Sequence, residues 1–139
     1  MTERAEKQDI IIKAAAVADY RPATVADQKM KKSEDAMSLS LERTTDILSY
    51  LGQRKTSGQF LCGFSMETEN VLGNSRAKLE KKNLDMIAAN SLRQEGAGFA
   101  GDTNILTLIT QNGQRELELM SKKQAAMELL TEILKQQRK

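Results

Sequence analysis

The chain has 139 residues, 40% hydrophobic and 29% charged, which is enough apolar material for one packed domain and excludes wholesale disorder. Lys plus Arg number 21 against 19 Asp plus Glu, and a net charge of +2 excludes the basic excess of a dedicated nucleic-acid binder. With no His and a single cysteine, Cys62, the chain has no His-based catalysis, no His-ligated zinc, no internal disulfide framework and no Cys-rich metal site.

Residues 9–16 open on Ile10-Ile11-Ile12, a run suited to a strand buried on both faces of a parallel sheet. Residues 17–32 have no clear period, hold the only proline, Pro22, and read as a long loop. Met37-Ser38-Leu39-Ser40-Leu41 alternates as a half-exposed strand does. Thr44 or Thr45 can cap a helix over about residues 46–53, with Ile47, Leu48 and Leu51 on one face and with Gly52 and Gly58 bracketing its end. Residues 59–64 read as a second buried strand. Thr68 then caps a helix to about residue 82, with Glu69 near its positive end. Residues 84–89 form a third buried strand, and 92–101 a Gly-rich loop. Residues 105–110, Asn112-Gly113 and 116–120 predict a hairpin through a tight primed turn. Ser121 and Gln124 make a capping box for a last helix, with Ala126, Leu130, Ile133 and Leu134 at helical spacing.

Strand, helix, strand, helix, strand predicts right-handed crossovers and a parallel sheet with helices on its faces. The expected fold is α/β: a Rossmann-like three-layer arrangement, mostly parallel, with a C-terminal antiparallel hairpin, in one domain over residues 1–139. No apolar run approaches the ~20 residues that span a bilayer. Residues 1–8 lack the apolar core of a signal peptide. A cytoplasmic protein with no membrane and no nucleic-acid partner is the expectation.

Gly96, Gly98 and Gly101 spell a literal GxGxxG. A dinucleotide fingerprint must follow a strand and open a helix, whereas these glycines lead into a strand, so they read as a turn-rich loop. Lys29, Lys31 and Lys32 cluster on the long loop; by composition they are a solvated charge run, but such a group can also neutralise a polyphosphate. Lys78 and Lys82, four apart, share a helix face with the same two readings, exposed surface or grip on a triphosphate. Asp19 follows on the first buried strand, where ligands gather in open parallel sheets; it is either a turn former or a hydrogen-bond acceptor for a ribose or base.

These segments also occur in a particular order. Ala14-Ala15-Ala16-Val17-Ala18-Asp19-Tyr20-Arg21 is followed by Lys29-Met30-Lys31-Lys32 and by Gly63-Phe64-Ser65-Met66-Glu67-Thr68. Next come Lys82-Asn83-Leu84-Asp85-Met86-Ile87-Ala88-Ala89-Asn90, and Gly98-Phe99 with Asp102-Thr103-Asn104. Together they resemble the signature of phosphopantothenoylcysteine synthetase, over about residues 9–132. The resemblance implies a CTP-dependent ligase of coenzyme A biosynthesis. CTP activates the carboxylate of 4'-phosphopantothenate as an acyl-cytidylate, L-cysteine expels CMP, and Mg2+ assists the nucleotide.

The resemblance further implies Asp19 at the cytidine nucleotide and Lys29 as the catalytic, nucleotide-contacting lysine of a mobile flap over residues 17–35. Thr45-Asp46-Ile47-Leu48 would meet the nucleotide through its backbone, and Phe64, Lys78 and Lys82 would complete the nucleotide site. It implies a homodimer with the active site near the subunit interface, and it singles out no metal ligand. Thr45 stands where the family usually has proline. The family's domain begins further upstream, with a Gly-rich nucleotide loop and an Asn that binds the acyl intermediate, and a flavin-dependent decarboxylase often precedes it. The chain therefore reads as the C-terminal part of a synthetase domain, incomplete relative to the family's, whether a fragment or a split gene product. A non-catalytic piece that keeps only nucleotide-binding and dimerisation surfaces is the alternative, and activity of this chain alone is left open.

Overall fold

The computed structural model describes residues 1–31, 36–91 and 101–137. In chain order the elements are α1 (Thr2–Ala5), β1 (Ile10–Lys13), β2 (Tyr20–Pro22), β3 (Leu41–Arg43), α2 (Ile47–Arg54), β4 (Phe60–Glu67), α3 (Val71–Lys81), β5 (Met86–Ser91), β6 (Thr103–Asn104), β7 (Leu106–Thr110), β8 (Gly113–Glu116), β9 (Met120–Ser121) and α4 (Lys122–Gln137). They divide into two compact units, Met1–Ala14 with Ile47–Lys139, and Ala15–Asp46.

In the larger unit a five-stranded sheet runs in the order β1-β4-β5-β7-β8. β1, β4 and β5 are parallel, with Ile11 opposite Leu61 and Gly63 opposite Ile87. β7 is antiparallel to β5, and β8 to β7. The strands are apolar on both sides because both sides are covered. Phe60, Cys62, Met86, Ala88, Leu106 and Leu108 pack with Ala125, Leu129 and Ile133 of α4. The alternate residues Ile11, Leu61, Ile87, Ala89 and Ile109 pack with Leu48 and Leu51 of α2 and Leu79 of α3. Each large side chain taken out of water in these clusters contributes about 1.5–3 kcal/mol. The result is the expected three-layer α/β arrangement, mostly parallel with an antiparallel C-terminal edge.

Several local expectations are corrected. The first strand stops at Lys13, and Ala14 to Ala16 are exposed. Residues 17–32 are not wholly loop, since β2 lies within them and pairs with β3. Met37 and Leu39 lie outside β3 and are exposed. Thr68 does not cap α3, because β4 runs on to Glu67 in register with Ser91. The cap position passes to Asn70, in the left-handed conformation at φ 43°, and Asn74 N–H donates to its carbonyl. The hairpin loop is Gln111-Asn112, since Gly113 already pairs with Thr110. Neither loop residue has the positive φ that a primed turn requires at these positions. β8 ends at Glu116, and Met120 instead pairs with Asn104.

The last helix starts as expected: Ser121 Oγ accepts Gln124 N–H at 3.2 Å, and Gln124 Oε1 accepts Ser121 N–H at 3.1 Å. Its buried stripe is Ala125, Leu129 and Ile133, however, so Ile133 alone of the expected set is buried. Ala126, Leu130 and Leu134 lie one residue round the helix and are exposed. The helix is apolar over two adjacent stripes, and periodicity alone cannot choose between them.

Cys62 is buried at the centre of the sheet, and burial, helped by the Asp85 carboxylate, pushes its thiol up from 9.0 to about 12. The folded pKa lies above the unfolded one, so the thiol costs no stability below pH 9 and costs increasingly as pH rises from there toward 12. At pH 8 a thiol reagent is expected to modify Cys62 only as fast as the fold opens, and rapidly in denaturant. Equal rates in both states would contradict its burial.

In the smaller unit every described residue except Thr44 is exposed. β2 and β3 pair from Tyr20 opposite Arg43 to Pro22 opposite Leu41. Thr44 closes the base, its N–H donating to the Asp19 carbonyl at 2.9 Å and its hydroxyl to the Ala18 carbonyl at 2.5 Å. Arg21 and Glu42 pair at 2.7 Å in solvent, a contact worth at most about 1 kcal/mol. With so little apolar burial, local opening costs little. Amides of described residues 20–31 and 36–43 are expected to exchange far faster than those of Ile10–Lys13; comparable protection would overturn this.

Candidate functional site

The carboxyl end of β4 is where open parallel sheets present ligand-binding groups. Leu61, Gly63, Ser65 and Glu67 alternate toward the side carrying α2 and α3. Gly63 lets α2 approach, since a Cβ there would come within 2.7 Å of Leu48 Cδ2. Ser65 Oγ and Ser75 Oγ, both buried, are hydrogen-bonded at 2.6 Å and tie β4 to α3. One strand pleat further, Glu67 Oε1 accepts Lys78 Nζ at 2.5 Å. Asn74 Nδ2 lies 3.4 Å from Glu67 Oε2 and donates to the Glu69 carbonyl at 2.9 Å.

Lys78 is therefore located at the carboxyl end of β4, its side chain 44% exposed, with a half-buried position in the last turn of α3. Lys82 is the C-cap of α3, its N–H donating to the Lys78 carbonyl. Beside it α2 comes very close: Asn83 Nδ2 donates to the Gly52 carbonyl at 2.8 Å, from a backbone at φ 51°. Gly52 was expected to help end α2, but α2 continues to Arg54 and buries Gly52 against the end of α3.

Ile47 and Leu48 open α2 with their side chains in the core, which leaves their backbone as the group available to a ligand. Thr45 and Asp46 precede them and are exposed. Phe64 is on β4 as expected, but its ring packs against the core on the α4 side. The fold thus puts Ile47, Leu48 and Lys78 on the α2/α3 side and turns Phe64 to the other, while Lys82 ends α3 beside Gly52, just before the amino end of β5.

Asp19 and Lys29 belong to the smaller unit and are both exposed. Asp19 does not directly follow the first strand; six residues beyond Lys13, it immediately precedes β2. Lys31 is exposed, whereas Lys32, the remainder of the expected flap to residue 35, and Gly96, Gly98 and Phe99 lie outside the described residues. Among the described residues no group of three or more His, Cys, Asp or Glu is arranged to hold a metal ion. No described helix is long and apolar enough to cross a membrane.

The sequence alone assigns no partner to Glu67, and it reads Gly52 only as part of a helix end. The signal for Glu67 was its two-residue spacing from Ser65 on a strand, opposite the Asn74 and Lys78 spacing on a helix. For Gly52 no local signal exists, because its constraint comes from Lys82.

Residues 1–137 match the family described as the DNA/pantothenate metabolism flavoprotein C-terminal domain. The chain is 50% identical over 129 residues to the coenzyme A biosynthesis bifunctional protein CoaBC of Bacillus subtilis, covering 92% of this chain and 32% of that protein. It is 46% identical over 137 residues to the protein of the same name from Haemophilus influenzae, covering 99% and 34%. The chain thus spans about a third of the length of these curated relatives. The crystal structure of the C-terminal domain of a CoaBC protein superposes with a TM-score of 0.74 at 38% identity, covering 95% of this chain and 56% of that one.

Proposed function

The chain belongs to the DNA/pantothenate metabolism flavoprotein C-terminal domain family, and from that membership we propose that it supplies the nucleotide-holding part of a phosphopantothenate–cysteine ligase of coenzyme A biosynthesis. In this reading CTP converts the carboxylate of 4'-phosphopantothenate into an acyl-cytidylate with loss of pyrophosphate. The amine of L-cysteine then attacks the acyl carbon, the bond to the cytidylate oxygen breaks, and CMP leaves. The observation that carries the reading is Lys78, half-exposed at the carboxyl end of the central parallel strand β4.

Lys78 and Lys82 supply positive charge for the triphosphate, and the backbone of residues 45–48 offers N–H groups at the start of α2. Asp19 accepts hydrogen bonds from the cytidine, and Phe64 lends the half-buried edge of its ring. Lys29 meets the charge that develops during transfer. Mg2+ arrives on the phosphates, as is usual for a cation that keeps most of its water and few protein ligands. The working assembly is a cytoplasmic homodimer, joined with a flavin-dependent decarboxylase. The alternative reading is a piece that binds the nucleotide without ligating.

Calorimetric titration of the folded chain with CTP and with ATP, each with Mg2+, tests the site. Weak binding of CTP in preference to ATP is expected. A folded sample that takes up no CTP at millimolar concentration would remove the nucleotide site under both readings. CTP binding without product from 4'-phosphopantothenate and L-cysteine is the outcome the alternative reading expects.

A further inference from the structure

We infer that Glu67 is a positioning residue for the nucleotide site, holding the Lys78 ammonium at the carboxyl end of β4 so that its remaining N–H groups face an incoming phosphate. This rests on the reading of Lys78 as a nucleotide contact. A lysine is a compact charge on a flexible stem with considerable rotamer freedom. Left alone, Lys78 would lose that freedom at the moment of binding. Glu67 restricts it beforehand, and uses one of three N–H donors to do so.

The holder is itself held. Glu67 is the last residue of β4, still in register with Ser91 of β5, and its side chain is only 14% exposed against 44% for Lys78. Its second carboxylate oxygen faces Asn74 Nδ2, one helical turn before Lys78. The Ser65–Ser75 bond fixes α3 along β4 one pleat earlier, so the two ends of the ion pair start from backbones that cannot slide past each other. The same carboxylate repels an anion, so the opposite role is concrete: Glu67 would compete with phosphate for Lys78, and its removal would tighten binding. The burial difference favours positioning. The Glu67 side chain is largely covered while that of Lys78 is open to solvent, so a phosphate can approach the lysine from the exposed side.

The test is steady-state kinetics on the full-length gene product, comparing Glu67→Gln, Glu67→Asp, Lys78→Gln and the double variant Glu67→Gln/Lys78→Gln. Glu67→Gln is expected to raise the nucleotide KM roughly tenfold, far more than it lowers kcat, as loss of uniform binding does. Glu67→Asp recovers part of the loss. In the Lys78→Gln background Glu67→Gln adds nothing, because it acts through Lys78. An unchanged or lowered KM in Glu67→Gln overturns positioning, as does an equal rise with and without Lys78, which marks a purely structural role. If Lys78→Gln itself leaves the nucleotide KM unchanged, the reading of Lys78 fails first and takes this inference with it. If Lys78→Gln raises KM and Glu67→Gln does not, only the inference fails.

Discussion

Lys29→Gln is expected to leave nucleotide binding near its original strength and to lower kcat on the order of 100-fold in the full-length gene product. The contrast with Lys78→Gln is the informative part. Lys78 stands on α3, anchored to β4 through Glu67 and through the Ser65–Ser75 bond. As the proposed nucleotide contact, a lysine anchored in this way would hold the triphosphate in ground state and transition state alike, so its loss is expected to raise the nucleotide KM. Lys29 lies in the smaller unit, whose described residues are almost all exposed. A charge on a segment with so little apolar anchoring is free to adjust as substrates bind. Its proposed role is to meet the negative charge that develops on the acyl carbonyl and phosphate, and to help exclude water that would hydrolyse the acyl-cytidylate. Steady-state kinetics with a parallel assay for accumulated acyl-cytidylate separates the two lysines. A Lys29→Gln variant with the original kcat would return Lys29 to a solvated surface charge.

Gly52→Ala is expected to destabilise the protein by about 3 kcal/mol, the upper end of overpacking costs, and to lower the melting temperature on the order of 10 °C. A Cβ at Gly52 would come to 1.8 Å from the Lys82 carbonyl oxygen and 2.9 Å from its carbon. Both are backbone atoms, held by the Lys82 and Asn83 N–H bonds back into α3 and by the Asn83 side chain on the Gly52 carbonyl. Nothing there can swing aside as a side-chain tip would. Relief requires α2 to lift from the end of α3, which pulls Leu48 and Leu51 away from Leu61 and Leu79. Because Lys82 is the residue displaced, the nucleotide KM is expected to rise as well. Gly58→Ala is the control, since a Cβ there meets nothing within 4 Å. An unchanged melting temperature in Gly52→Ala would contradict the packing of α2 against the end of α3.

Much of the larger unit was legible because its strands are fully buried and its helices carry strong local signals. The Ile10–Ile12 run, the segment before Phe64 and the segment after Leu84 all became sheet strands in the expected order. The Ser121 and Gln124 box formed with its expected bonds, since a cap is settled within one turn of chain. Expectations failed where a partner distant in sequence decides. Thr68 lost the cap to Asn70 because pairing with β5 prolongs β4. Leu130 and Leu134 were plausible core residues until the sheet took the neighbouring stripe.

The candidate site divides in the same way. The order of motifs, from Asp19 through Lys29 and Phe64 to Lys78 and Lys82, can be read along the chain and was enough to indicate the family. The alternation that sends Leu61 and Ser65 to one side of β4 and Phe64 to the other is also implicit in it. What the amino-acid order by itself determined was therefore the inventory: which elements form, which residue types they carry and which chemistry those types allow. Only the tertiary structure decided that Lys78 is held by Glu67 and that Gly52 must remain without a side chain. Both are contacts between segments 11 or more residues apart, a Lys–Glu pair across β4 and α3 and a Gly–carbonyl approach across α2 and α3. Local propensity reaches a turn or two of chain, whereas these contacts exist only after the sheet has set the helices side by side.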